Sequence, residues 1–242
     1  MDIKLYLTPA PFGEIDLESK TAVVIDVLRC TTSVCAALMA GARGVIPVTG
    51  PGEAGDVWAR IGSDMGVLAG EQNGIRIENF QLGNSPAEFT PESVGGKFVV
   101  MTTTNGTAAF VRARKADLVL SCGLVNVSRV AGRVAGENRD TVIICAGREG
   151  QFSIEDTICG GRLIDLLISE HQREVTLNDA ASLAVLLYHN SRSAMKKAVA
   201  ESEHGRYLAS IGFAHDLETA ARVDSMPVLP VMKDGRLILD GD

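Results

Sequence analysis

Short apolar runs rich in β-branched residues recur along the chain, and each is followed by a polar cluster and then by apolar residues at helical spacing. Three such runs cover residues 22–27, 98–101 and 141–145. The runs are apolar almost throughout, which is typical of strands that helices cover on both faces. The pattern predicts a three-layer α/β fold with a largely parallel or mixed sheet flanked by helices.

The rest of the chain extends this architecture. The first run leads into a helix that ends near Gly41 and then a strand at residues 45–48, and residues 97–120 repeat this βαβ order. Residues 71–91 are rich in Gly, Asn and Pro without periodicity, which predicts a long loop. We expect a helix over residues 154–168 with Ser153 as its N-cap, several helices over residues 178–222, and a hairpin over residues 226–239.

No Pro/Ser linker or low-complexity stretch divides the chain. We therefore expect one domain over residues 1–242, and two similar α/β lobes with no clear boundary remain the alternative. Its formal net charge of −7 does not favour a nucleic acid or an anionic membrane as partner. The first 16 residues lack a basic leader with a long apolar core, so we expect a cytoplasmic protein. Homo-oligomer formation stays open.

Polar clusters follow the predicted strands, where ligands bind in parallel α/β sheets. Asp26, Arg29, Thr31 and Thr32 follow the first run, and residues 102–107 follow the second. Free N–H groups at a helix start, threonine hydroxyls and the forked arginine side chain all favour an anion such as phosphate. The sequence therefore predicts an anion site at these turns.

Four carboxylates in the same loops are hard oxygen ligands of the kind that Mg²⁺ accepts when it bridges to a phosphate. They are Asp26, Glu71, Glu155 and Asp156. Phosphate, acids and a metal together indicate phosphoryl chemistry. Each feature also has a structural interpretation, because acids, threonines and Asn84-Ser85-Pro86 suit helix starts and turns equally well.

Other phosphate-handling motifs fit poorly. No cysteine is followed six residues later by the arginine of a cysteine phosphatase, and Gly96-Lys97 lacks the next Ser or Thr of a Walker A loop. We interpret the histidines as surface or packing residues: His171, His189, His204 and His215. The stretch from Gly50 to Gly55 matches GxGxxG, which keeps a dinucleotide-binding protein as an alternative, although a helix start explains it better.

Five ordered blocks resemble the signature blocks of the 2-phosphosulfolactate phosphatases. They are residues 26–32, 70–74, 82–88, 102–107 and 145–156, within a resemblance that runs from about residue 3 to residue 239. The resemblance implies an α/β enzyme that uses Mg²⁺ to convert 2-phosphosulfolactate to sulfolactate and phosphate, as in coenzyme M biosynthesis. A related phosphorylated hydroxy acid is the other substrate to consider, and a non-catalytic phosphometabolite binder is the competing class.

The resemblance and the residues together give a site hypothesis. Mg²⁺ is held by Asp26 with Glu71 or Asp156, and water or a carboxylate attacks phosphorus. Arg76 and Arg148 are candidates for holding the distal anion of the substrate. The catalytic candidates are Asp26, Arg29, Asn105 and Glu155, and the substrate-binding candidates are Thr31, Thr32, Arg76, Asn84, Ser85, Thr103, Thr104, Gly106 and Arg148.

Overall fold

The apolar runs form strands that are buried on both faces. In the computed structural model, which describes residues 1–9 and 17–241, every residue of the strand Thr21–Ile25 is buried. Its successive side chains enter different core clusters, Val23 and Ile25 on one face and Ala22 and Val24 on the other. Helices therefore cover both faces of the sheet, which confirms the three-layer prediction. Residues 10–16, part of the N-terminal stretch interpreted above, and residue 242 lie outside the described residues.

Eleven strands form one mixed sheet in the spatial order β5-β4-β6-β3-β11-β10-β7-β2-β8-β1-β9. In chain order the strands are β1 Asp2–Tyr6, β2 Thr21–Ile25, β3 Gly44–Pro47, β4 Gly66–Gln72, β5 Ile75–Arg76, β6 Phe98–Thr102, β7 Leu118–Cys122, β8 Thr141–Cys145, β9 Thr176–Leu177, β10 Pro230–Lys233 and β11 Arg236–Leu239. Two sets pair in parallel within themselves, β4-β6-β3 and β7-β2-β8-β1-β9. The sheet is thus largely parallel, as predicted.

The predicted C-terminal hairpin is present, and it lies in the middle of the sheet rather than at an edge. β10 pairs antiparallel with β7 at Val231 and Leu120, and β11 pairs antiparallel with β3 at Leu237 and Val45. The hairpin therefore joins the two parallel strand sets. Leu237 is fully buried, so the hairpin also contributes to the core.

The helices pack on both sides of this sheet. They are α1 Cys30–Met39, α2 Pro51–Ile61, α3 Pro91–Val94, α4 Gly106–Ala113, α5 Val127–Glu137, α6 Ile154–Ser169, α7 Asp179–Ser191, α8 Met195–Ala200, α9 Glu203–Ser210 and α10 Ala214–Ala220. The helix-rich C-terminal third is confirmed. None of the helices within residues 1–9 and 17–241 is long and apolar enough to cross a membrane.

The stretch predicted as a long loop contains more regular structure than its composition indicates. Its first residues complete β4, and the next form the two-residue strand β5. Glycines at the first and fifth positions of the strand sequence GVLAGEQ weaken the apolar pattern, although six of its seven residues are buried. The Gly50-Pro51 motif begins α2, and Glu53 accepts hydrogen bonds from the backbone and hydroxyl of Thr49, as expected of a helix start.

Candidate active site

The loops that follow β2, β4, β6 and β8 meet around a cleft. Residues of α9 close one side of it. The lining side chains are mostly polar or charged, although the surrounding sheet is apolar. They are Asp26, Leu28, Arg29, Glu71, Asn73, Gly74, Asn84, Thr104, Asn105, Arg148, Glu149, His204 and Tyr207.

Asp26 follows β2 at the floor of the cleft and is 5% exposed. Its Oδ1 accepts a hydrogen bond from the backbone N–H of Cys30 at 3.3 Å, at the start of α1. Burial raises the pKa of Asp26 to about 7, while His204 and the Cys30 N–H lower it and nearby Glu71 raises it further. A carboxylate held in so unfavourable a place is a strong candidate for a functional group.

Gly106 is required by the close approach of Asp26. A Cβ at this position would collide with Oδ2 of Asp26 and with the side chain of Cys30. Gly106 is one of the substrate-binding candidates predicted from the sequence. In the structure its missing side chain lets α4 begin directly against the Asp26 carboxylate.

Thr31 and Thr32 face inward from the same turn and do not line the cleft. Both are fully buried, and their hydroxyls donate to the backbone carbonyls of Asp26 and Val27 at 2.7 and 2.8 Å. These bonds fix the path of the chain from β2 into α1. Both hydroxyls therefore help to position Asp26, whereas the sequence predicted that they contact an anion.

Arg29 reaches the cleft but is already paired. Its Nη1 donates to Oδ2 of Asp216 at 2.8 Å, and its Nη2 donates to the carbonyl of Gly74 at 2.7 Å. The guanidinium also lies 4.2 Å from the ring centroid of Phe213. The side chains of Arg29 and Asp216 are 2% and 4% exposed, so this is a buried ion pair. The pair fixes Arg29 at the wall of the cleft.

Glu71 organises the turn after β6. Its Oε1 accepts the backbone N–H of Thr104 at 2.7 Å, and its Oε2 accepts the N–H of Gly74 at 2.6 Å and the hydroxyl of Thr104 at 3.1 Å. Thr103 and Thr107 exchange backbone-to-hydroxyl hydrogen bonds with each other. Several donors that the sequence analysis assigned to an anion are therefore used within the protein.

Asn105, in the loop after β6, and Arg148, in the loop after β8, both line the cleft. Oδ1 of Asn105 accepts the backbone N–H of Glu149 at 3.0 Å, so its amide NH₂ is left for a ligand. Arg148 lies over the Tyr207 ring at 4.6 Å and donates to the exposed Glu203 at 3.0 Å. Arg76 is exposed, outside the cleft lining, and its nearest acceptor is the carbonyl of Gln81.

Asn84 and Ser85 take different positions. Asn84 lines the cleft, and its buried Oδ1 has no hydrogen-bond partner. Ser85 lies behind the wall, where its hydroxyl donates to Oδ1 of Asp216 at 2.6 Å. Asn84 can therefore contact a ligand, whereas Ser85 supports the partner of Arg29.

The two acids at the start of α6 differ in their contacts. Asp156 accepts the backbone N–H of Val27 at 2.8 Å and that of Gly147 at 3.1 Å, which ties two cleft loops together. Burial, with Asp26 and Glu155 nearby, holds the pKa of Asp156 well above its usual value. Oε1 of Glu155 is buried, accepts no hydrogen bond, and lies 3.6 Å from Nδ1 of His204. Although burial works to raise it, the pKa of Glu155 is lowered, chiefly by His204.

The sequence analysis missed three functional candidates in the helical C-terminal third, His204, Tyr207 and Asp216. His204 was interpreted as a surface or packing residue, but its side chain is 15% exposed and lines the cleft. No motif marks these residues, because their partners lie far away along the chain. The acid at Asp216 in the first turn of α10 has the local signature of an ordinary helix start.

A buried acid beside an arginine and an amide, at the ends of parallel strands, is typical of enzymes that act on phosphate groups. Similarity to known proteins agrees with this class, since a family model described as 2-phosphosulpholactate phosphatase matches residues 6–235 of the chain. The chain belongs to the 2-phosphosulfolactate phosphatase family, whose name denotes hydrolases of phosphoric monoesters.

Curated relatives align with this chain over nearly their whole lengths. A protein of Caldanaerobacter subterraneus is 37% identical over 97% of each chain. A protein of Symbiobacterium thermophilum is 38% identical, over 93% of this chain and 96% of its own. One of Clostridium acetobutylicum is 34% identical over 98% of this chain and 100% of its own. Each of these relatives is named a probable 2-phosphosulfolactate phosphatase.

Proposed function

We propose that this protein is a Mg²⁺-dependent phosphatase that hydrolyses 2-phosphosulfolactate, or a related phosphorylated hydroxy acid, to the free hydroxy acid and phosphate. The observation that carries the proposal is the cleft itself. In a member of this family, it places the Asp26 and Glu71 carboxylates beside Arg148 and the Asn105 amide. A role in coenzyme M biosynthesis and a cytoplasmic location stay predictions.

The cleft residues suit a small substrate with several negative charges. Arg148 supplies a charged donor at the mouth, and the Asn105 NH₂ supplies a neutral one. The N–H groups of Arg29 that do not bond Asp216 or Gly74 supply further donors at the wall. Donors fixed in this way stabilise charge without reorganising during the reaction.

The small number of carboxylates that line the cleft suits Mg²⁺. Among residues 1–9 and 17–241, no three His, Cys, Asp or Glu side chains form a group that could hold a metal ion. Mg²⁺ needs no such group, because it usually takes one or two carboxylates and completes its shell with water and substrate phosphate. Asp26 and Glu71 line the cleft and would hold it, whereas Asp156 lies outside the cleft lining. When bound, Mg²⁺ would polarise the phosphate and offset its charge.

The proposed function is tested by phosphate release from a panel of phosphorylated hydroxy acids that includes 2-phosphosulfolactate. We expect release with Mg²⁺ and loss of release in excess chelator, with recovery when Mg²⁺ is restored. Full hydrolysis in excess chelator would overturn the metal requirement. Tight phosphate-ester binding without any release would instead indicate a non-catalytic phosphometabolite binder.

Arg148 is expected to select substrates that carry a second anion. Arg148→Ala removes the forked donor at the cleft mouth, so kcat/KM for 2-phosphosulfolactate should fall more than kcat/KM for a simple phosphomonoester. Arg76→Ala is the matched comparison, because Arg76 lies outside the cleft lining and should change the ratio less. An unchanged ratio in Arg148→Ala would remove this residue from substrate recognition.

Asn105→Ala is expected to lower kcat by about 10²-fold, as for loss of one donor to a developing oxyanion. Phosphate should also inhibit the variant more weakly, because the NH₂ group faces the same anion in the product. Asn190→Ala is the control, since the Asn190 NH₂ donates to the Leu186 carbonyl on the exposed helix α7, outside the cleft lining. Normal phosphate inhibition together with normal kinetics would place Asn105 among structural turn residues.

A further inference from the structure

His204 stands between two cavities. It lines the cleft described above, and it also lines a neighbouring cavity. The second cavity contains Glu155 and Ser153, whose Oε1 and Oγ are both buried without hydrogen-bond partners. Arg148 and Glu149 also line both cavities, but it is the His204 imidazole that lies next to Oε1 of Glu155.

The Glu155 carboxylate orients this imidazole. Nδ1 of His204 lies 3.6 Å from Oε1 of Glu155, and the Glu155 side chain is 2% exposed. A buried carboxylate oxygen without a hydrogen bond is costly unless a positive group stands next to it. Because Nδ1 faces Glu155, Nε2 is the ring nitrogen left for the cleft.

Several contacts hold α9, which carries His204, against the cleft. Ser202 caps the helix by accepting the N–H of Gly205 at 2.9 Å. One turn on, the Tyr207 hydroxyl donates to the carbonyl of Asn73 at 2.8 Å. The Tyr207 ring in turn supports the guanidinium of Arg148. His204 is thus positioned by a capped helix with contacts on both sides, as a group that takes part in chemistry needs to be.

We infer that His204 is the proton donor to the leaving oxygen of the phosphate ester, and that Glu155 is its positioning residue; this inference rests on the proposed phosphatase function. As the bond from phosphorus to the ester oxygen breaks, its electron pair goes to that oxygen, which takes the proton from Nε2. The incoming nucleophile forms the new bond to phosphorus. Where water is that nucleophile, the proton it loses restores His204, so the products are the hydroxy acid and hydrogen phosphate.

The chemistry of the substrate class makes such a donor necessary. The leaving group of a phosphorylated hydroxy acid is an alkoxide, which departs readily only when it is protonated. A positioned general acid contributes about 10²–10⁴-fold to such a step. An aryl phosphate with a nitrophenolate leaving group departs without protonation, so the same residue contributes little.

The test compares two substrates with one variant. His204→Gln should lower kcat for 2-phosphosulfolactate or 2-phospholactate by about 10²-fold or more. The same preparation should hydrolyse p-nitrophenyl phosphate at nearly the unaltered rate, which also reports that the site is folded. His189→Gln is the control, because His189 makes a similar contact to Asp165, at 2.7 Å, on the exposed face of α7. It should leave both rates unchanged.

Glu155→Gln and the double variant test the positioning role. Glu155→Gln should lower the alkyl-ester rate in the same selective way, and the double variant should be no slower than His204→Gln alone. Equal losses on the two substrates, or no loss on either, would overturn the assignment while leaving the phosphatase function intact. Failure of the unaltered protein to hydrolyse either substrate would overturn the proposed function, and the inference with it.

Discussion

Asp26→Asn is expected to lower kcat by about 10³-fold or more while the melting temperature stays equal or rises. The carboxylate contacts the cleft, so its charge is lost from the place where phosphate and Mg²⁺ are proposed to bind. Burial raises the pKa of this group to about 7, which means that the fold carries its charge at a cost. A neutral amide of the same shape removes that cost. Steady-state kinetics and thermal unfolding of one preparation measure both effects.

Asp224→Asn is the matched control for this substitution. Asp224 accepts the backbone N–H and the hydroxyl of Ser128, at 2.9 and 2.6 Å, at the start of α5 and away from the cleft. We expect a small loss of stability from weaker capping and no change in kinetics. If Asp26→Asn also loses stability but keeps its rate, Asp26 is a structural cap like Asp224.

Asp216→Ala should lower the free energy of unfolding by about 3–5 kcal/mol, because it leaves the Arg29 guanidinium buried without its charge partner. For a chain of this size that corresponds to about 6–20 °C in Tm. The Ser85 hydroxyl loses its acceptor as well. Activity should fall in the same variant, since Arg29 no longer holds its place at the cleft wall. Chemical denaturation gives the stability, and kcat/KM gives the functional loss.

Two further variants separate stability from function at this pair. Glu201→Ala removes a partner from the exposed pair between Lys197 and Glu201, whose side chains are 71% and 66% exposed, and should cost less than about 1 kcal/mol. The double variant Arg29→Met with Asp216→Leu leaves no unpaired charge at this position and should regain much of the stability. Its activity should not return. Recovery of activity in that variant would show that Arg29 serves only the fold.

Patterns within short stretches of sequence were sufficient to predict much of the fold and part of the cleft. Asp26 and Glu71 follow or end apolar strands, and loops at strand ends are where α/β proteins bind ligands. Arg29 was found in the same way, but its partner was not. Asp216 lies 187 residues away along the chain, and only tertiary packing brings the two together.

The separation of partners along the chain also explains why donors that were predicted to bind an anion are hydrogen-bonded within the protein. A turn rich in Thr, Asn and Gly has the composition of a phosphate-binding turn whether or not a buried acid already satisfies it. At Thr104 that acid is Glu71, which comes from a strand 33 residues earlier. His204 is the opposite case, since it was interpreted as a surface or packing residue but lines the cleft. A histidine at a helix start gives no local sign of the carboxylate that packs against it.

The placement of β10 and β11 affects how the sheet can fold while the chain is being synthesised. The ribosome releases these two strands after the other nine strands of the sheet, yet they lie between β7 and β3 in its centre. Until they arrive, both neighbouring strands present unpaired backbone edges, which are templates for association with other chains. The nascent protein therefore cannot complete its sheet until β10 and β11 have emerged. Loss of β11 would leave the two parallel strand sets unjoined, although β11 has only four residues.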